Sequence, residues 1–129
     1  MIWYVAFGSA AGGVARWLLG GVFQRWFSAG FPGGTLLVNV TGCFLIGILT
    51  RYAMDSSTIT PELRALLVVG FCGGYTTFSA FSYETLRLAQ DGEWTQVATY
   101  VGASVVLSLA AVALGWASAG AIQHLRQSA

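Results

Sequence analysis

The sequence predicts an all-α membrane protein with four transmembrane helices, and three observations lead there. Only 9% of its 129 residues are charged while 56% are hydrophobic, whereas soluble domains run near a quarter charged. Four apolar segments each reach the roughly 20 residues that a helix needs to cross a bilayer. The third of them is interrupted by Gly73-Gly74-Tyr75-Thr76-Thr77-Phe78-Ser79, a run of helix breakers and capping residues inside an apolar stretch.

The first span covers residues 2–23. It opens Met1-Ile2-Trp3-Tyr4, with no basic residue before Arg16 and no clear cleavage site, so it reads as a retained helix and not a secretory signal. The second covers 34–54, after a connection containing Pro32. The third covers 63–88 with its break near 73–77, after a connection ending in Pro61-Glu62. The fourth covers 95–122, after Asp91-Gly92-Glu93. Trp3, Tyr4, Trp26, Tyr52 and Trp94 fall near span ends, where amphipathic rings prefer the interface. Residues 1–129 form a single integral membrane domain in this reading, with no room for a separate module.

The charges exclude some functions. A formal net charge of +1 without a Lys/Arg cluster leaves nothing to neutralise nucleic-acid phosphates. Four spans put both termini on one side, so Arg51, Arg64 and Arg126 flank one face while Arg25 and Arg87 flank the other. Orientation normally follows an excess of Lys/Arg on the cytoplasmic side, and here there is hardly any. That balance fits insertion in both orientations and pairing as an antiparallel homodimer; a single orientation set by helix order is the alternative. Gly8-xxx-Gly12, Gly70-xxx-Gly74 and Ala111-xxx-Gly115 are spacings suited to close helix contact. Cys43 and Cys72 lie within apolar runs and match no metal or nucleophile pattern, so they read as small packing residues.

The broken third span carries the strongest chemical signal. Either Thr76 or Thr77 suits the N-cap of a second half-helix. Backbone opened at membrane depth is tolerated only where protein or a cavity satisfies it. Half-helix ends there recurrently hold ions, cations at carbonyls and anions at N–H groups; a packing kink is the blander reading. Phe78 and Phe81 share a helix face and offer electropositive ring edges to an anion, or serve as ordinary lipid-facing or core aromatics. Ser79 and Ser82 repeat the spacing on an adjacent face, and Glu84 follows Phe81 by three.

Asn39 is the lone amide deep in a span, one turn after Thr35. Its NH2 is a donor for an anion, or glue between two helices. Tyr100, Ser104 and Ser108 recur every four residues on the fourth span and form a hydroxyl stripe able to hydrate an ion of either sign. Arg16 is the cation within a span, there to snorkel or to attract anions. No nucleophile–base pair or metal-ligand cluster stands out, so the chain does not read as an enzyme.

Three stretches together resemble the CrcB/Fluc fluoride channels. They are Gly-Gly-Val-Ala-Arg at 12–16, Gly-Thr-Leu-Leu-Val-Asn at 34–39 with Gly42-Cys43-Phe44, and the run from Gly70 through Gly-Gly-Tyr-Thr-Thr-Phe-Ser to Glu84. The likeness covers nearly the whole chain. It implies a multi-pass protein of the inner (plasma) membrane that passively exports fluoride as a dual-topology antiparallel homodimer with two pores. It also implies a structural Na+ on the dimer axis, held by the backbone carbonyls of Gly73 and Thr76. Phe78 and Phe81 match the paired pore phenylalanines and Asn39 the pore asparagine. Tyr100, Ser104 and Ser108 match the fourth-helix polar positions, Arg16 the first-helix arginine, and Glu84 the glutamate after the break. Tyr75 and Ala80 occupy positions where relatives vary. A small multidrug-type proton-coupled exporter is the runner-up, but that class uses a carboxylate in its first helix, and this first span has none.

Overall fold

The computed structural model describes every residue except Ser56 and Thr58. It is all-helical among the described residues. In chain order come α1 (Ile2–Gln24), α2 (Gly33–Asp55), α3 (Pro61–Arg64), a π-helical stretch Ala65–Cys72, α4 (Gly73–Tyr75), α5 (Phe78–Gln90) and α6 (Trp94–Ser128). Ile2–Gln24, Gly33–Met54, Pro61–Gln90 and Trp94–Ser128 are long and apolar enough to cross a membrane.

Local chemistry accounts for most boundaries. Thr60 caps α3 by accepting the Leu63 N–H at 3.2 Å, and Pro61 takes the first turn, where its missing N–H costs nothing. Gly92, at φ 75°, ends the turn after α5. There the Glu93 N–H reaches the Leu88 carbonyl at 2.9 Å and the Gly92 N–H reaches Ala89 at 3.1 Å, the paired bonds of a Schellman ending. Gln24 closes the α1–α2 connection: its Nε2 donates to the Phe31 carbonyl at 2.8 Å, and its Oε1 accepts the Gly34 N–H at 3.0 Å. Hydroxyls that face an apolar surround fold back on their own helices, as Thr50 does onto Ile46 at 2.6 Å and Thr85 onto Phe81 at 2.7 Å.

Two glycine seams set the packing. α1 lies against the π-helical stretch and α2 against α6. A Cβ on Gly8 would strike the Leu66 carbonyl oxygen and come within 2.9 Å of the Phe71 nitrogen, and one on Gly70 would come within 2.9 Å of the Gly8 Cα. At the second seam a Cβ on Gly47 would strike the Val112 carbonyl oxygen, and one on Gly115 that of Phe44. In the absence of a hydrophobic drive within lipid, such close backbone approach supplies the packing energy. The small-residue spacings are therefore occupied inside the chain. A compact cluster of Leu36, Leu88 and Tyr100, with Phe31 and Phe81 against it, joins α2, α5 and α6 at one end.

Two features differ from the sequence reading in detail. The first half of the third span starts at Pro61 and is π-helical from Ala65 to Cys72, a register that no residue type announces and that often sits beside functional sites. α6 continues past Ile122 to Ser128. At 35 residues it is about 52 Å long at 1.5 Å per residue, well beyond a ~30 Å hydrocarbon core.

Candidate functional site

The helix of the third span stops at Tyr75 and restarts at Phe78. Thr76 (φ −80°, ψ 157°) and Thr77 (φ −152°, ψ 113°) are extended. Of the two threonines, Thr77 is the cap: its Oγ1 accepts the Ala80 N–H at 3.1 Å. Thr76 turns its hydroxyl back to the Cys72 carbonyl at 2.8 Å, where its own N–H also bonds at 3.0 Å. Ser79 Oγ lies 3.2 Å from Thr77 Oγ1.

α2 supports both sides of this break. Asn39 Nδ2 donates to the Thr77 carbonyl at 3.1 Å, and the Thr77 N–H donates to Asn39 Oδ1 at 2.8 Å. The reverse amide orientation would face like groups against each other, so the pairing fixes which end is nitrogen. Two residues further on, Thr41 Oγ1 lies 2.8 Å from the Tyr75 hydroxyl, and Tyr75 is buried, stacked on Phe71 at 5.9 Å between centroids. Gly42 admits the break: a Cβ there would strike Thr76 Cγ2.

The break has a consequence for its carbonyls. In a continuous helix the Gly73 carbonyl would receive the Thr77 N–H, which instead goes to Asn39. The Thr76 carbonyl would receive the Ala80 N–H, which instead goes to Thr77 Oγ1. Both carbonyls thus lose their helical donors. Gly73 is exposed, with nothing within 4 Å of a Cβ built on it.

On the α6 side of the break lies a cleft of about 350 Å³ lined by Asn39, Cys43, Thr76, Thr77, Phe78, Phe81, Ser104 and Ser108, with Val105 and Leu109. Phe78 and Phe81 stand 5.4 Å apart, tilted by 44°. Phe78 is 79% exposed, while Phe81 packs on Tyr100 at 5.2 Å. Ser104 Oγ is buried without a hydrogen-bond partner, in a residue only 7% exposed. It is a polar atom awaiting a ligand or water.

Five of the predicted pore residues, Arg16, Ser79, Ser82, Glu84 and Tyr100, lie outside that cleft. Tyr100 is fully buried and donates its hydroxyl to Glu84 Oε2 at 2.6 Å, while Thr35 donates to Glu84 Oε1 at 2.7 Å. Glu84 also lines a larger groove of about 660 Å³ on the α1 side, which holds Arg16, Gln24, Thr35 and Thr77. Ser79 and Ser82 are exposed, and Ser82 returns its hydroxyl to the Phe78 carbonyl at 2.9 Å. Thr77 lines both cavities, so the break is the partition between them. Among the described residues no group of three or more His, Cys, Asp or Glu side chains is set to hold a metal; cation ligands here would be backbone oxygens.

Comparison with known proteins decides the family. Residues 3–116 match the family described as CrcB-like protein, Camphor Resistance (CrcB). The chain belongs to the CrcB-like family. It is 49% identical over 111 residues to a protein of Geobacter metallireducens named "Fluoride-specific ion channel FluC", covering 86% of this chain and 90% of the relative. A protein of the same name from Nitrobacter winogradskyi is 48% identical over 111 residues, covering 86% and 88%. One from Geobacter sulfurreducens is 45% identical over 121 residues, covering 94% and 95%.

In this CrcB-like chain, three contributors escape a reading of the sequence by spans. Thr35 is singled out there only by its distance from Asn39, and its role as donor to Glu84 joins residues 49 apart. Gln24 shapes the rim of the α1-side groove, yet one glutamine at a span end carries no signal of its own. Cys43, read as packing, lines the cleft.

Proposed function

We propose that this chain is the protomer of a fluoride-selective channel that lets fluoride leave the cytoplasm passively. The observation that carries the reading is the 49% identity, across 86% of this chain, to a protein named as a fluoride-specific ion channel. Passive flow suffices for protection. Hydrogen fluoride enters acidified cells as a neutral acid, ionises inside, and the trapped anion runs out down its gradient. The chain is a multi-pass membrane protein and not an enzyme.

The chemistry of the cleft supports a small, strongly hydrated anion. Replacing the water of fluoride takes hydrogen-bond donors and aromatic edges. Asn39 keeps one N–H beyond the one given to Thr77, Ser104 carries an unpartnered hydroxyl, and Ser108 lies beside it. Phe78 and Phe81 contribute their ring edges. Beyond the cleft, the Tyr100–Glu84 pair and the exposed hydroxyls of Ser79 and Ser82 extend the polar surface, and Arg16 draws anions into the α1-side groove.

In this reading two copies assemble as an antiparallel, dual-topology homodimer, with the third-span break at mid-membrane. What supports the pairing is the even distribution of arginines and the uncovered side of the break. Gly73, Ser79 and Ser82 are exposed there, and backbone and hydroxyl groups at membrane depth need protein or water around them. The carbonyls of Gly73 and Thr76, relieved of their helical donors, suit a hard cation that takes oxygen ligands, such as Na+. When bound, that ion would supply a fixed positive charge where two such breaks meet.

Fluoride efflux from proteoliposomes, with chloride as control, tests the proposal. A selective fluoride leak is expected; equal leakage of both ions, or none, sinks it.

A further inference from the structure

We infer that Asn39 is a positioning residue for the cation site, holding the Gly73 carbonyl free by taking the N–H that would otherwise close onto it. The inference rests on the reading of Gly73 and Thr76 as cation ligands. Its basis is a two-sided exchange. The Thr77 N–H, one helical turn after Gly73, lies 2.8 Å from Asn39 Oδ1, while Asn39 Nδ2 holds the Thr77 carbonyl at 3.1 Å. A single amide side chain therefore answers both polar groups of one residue, and it opposes the backbone rotation that would return Thr77 from φ −152°, ψ 113° to helix. A buried N–H left without an acceptor is costly, so with Asn39 removed the nearest relief for Thr77 is to re-form the turn onto Gly73. That closes the carbonyl to any cation.

Asn39 also lines the α6-side cleft. One side chain thus touches the anion route and determines the state of a carbonyl across the break.

The test separates this from the cation reading itself. Thermal unfolding of the purified full-length chain is followed as NaCl is titrated against N-methylglucamine chloride. The wild type is expected to gain stability with Na+. In Asn39→Leu the Na+ concentration for half-maximal gain is expected to rise roughly tenfold or more, the effect of removing a group that supports a metal ligand. Asn39→Asp keeps the acceptor for the Thr77 N–H while losing the donor to the Thr77 carbonyl, so its half-saturation should rise by less than tenfold, and it carries the test even if the leucine variant does not assemble. Ser104→Ala, expected to lower fluoride efflux from the cleft side, should leave the Na+ response in place. An unchanged half-saturation in Asn39→Leu, or a tenfold loss in Asn39→Asp, overturns the positioning role alone. A wild type indifferent to Na+ overturns the cation reading as well, and it does so without any substitution.

Discussion

The Tyr100 hydroxyl meets Glu84 Oε2 at 2.6 Å, tying the long α6 to the half-helix after the break. Thr35 completes the bond set from α2 at 2.7 Å, so three helices converge on one carboxyl group. Tyr100 is fully buried, so its hydroxyl is removed from solvent and spends its donor on Glu84. Tyr100→Phe is expected to lower stability by about 1–3 kcal/mol, the range for a buried hydrogen bond to a polar or charged partner. Thermal unfolding in detergent would measure it, and fluoride efflux should fall alongside. A variant as stable and as conductive as the wild type would remove this link from both roles.

The two phenylalanines should separate flux from folding. Phe78 is 79% exposed and touches little beyond Phe81, so Phe78→Ile should slow efflux with hardly any loss of stability. Phe81 packs on Tyr100 and on the cluster around Leu36 and Leu88. Phe81→Ile should therefore slow efflux and also cost about 0.5–1.5 kcal/mol of aromatic packing. Size-exclusion profiles of both are expected to match the wild type. Undiminished efflux in both would take the rings out of the ion path.

The glycine seam between α1 and the π-helical stretch predicts a sharp contrast within one helix. Gly8→Val would drive a side chain into the Leu66 carbonyl and should cost about 2 kcal/mol or more, at the upper end of overpacking. Gly13, with nothing within 4 Å of a Cβ, should accept alanine within about 0.5 kcal/mol, as open surface positions do. Comparable losses at the two sites would show that helix propensity and not the seam governs α1.

Dual insertion can be tested by weighting one face. Two lysines added to the connection before Pro61 should bias orientation and lower the yield of active dimer. Co-expression with a chain biased the other way should restore it. An unaltered yield from the singly biased chain argues for one natural orientation.

The spans and the break were legible because lipid imposes simple rules. Length, apolarity and glycine–threonine punctuation mark where a helix crosses and where it stops, and Thr77 is the kind of residue that caps a restart. Gly8, Gly12, Gly70 and Gly74 were legible as contact residues, although only the fold says that α1 and the third span use them on each other. The Thr35–Glu84–Tyr100 convergence was not legible, since it joins residues 49 and 16 positions apart that no local period connects. Nor was the role of Asn39 toward Thr77: an amide in a span announces a polar partner without saying that the partner is backbone. The π-helical register from Ala65 to Cys72 accompanies close packing on the α1 glycines and the break that follows, and local composition announces neither contact.

The overlong α6 has a practical side. A helix running unbroken from Trp94 to Ser128 overshoots the apolar layer by some 20 Å when laid against a ~30 Å core, and its last turns carry Gln123, His124, Arg126 and Gln127. Whatever is fused after Ala129 follows a continuous helix and lies about five turns beyond the cleft-lining Ser104–Leu109 segment. A fluorescent or enzymatic reporter placed there should read out the side on which each copy's tail emerges while leaving the ion route untouched.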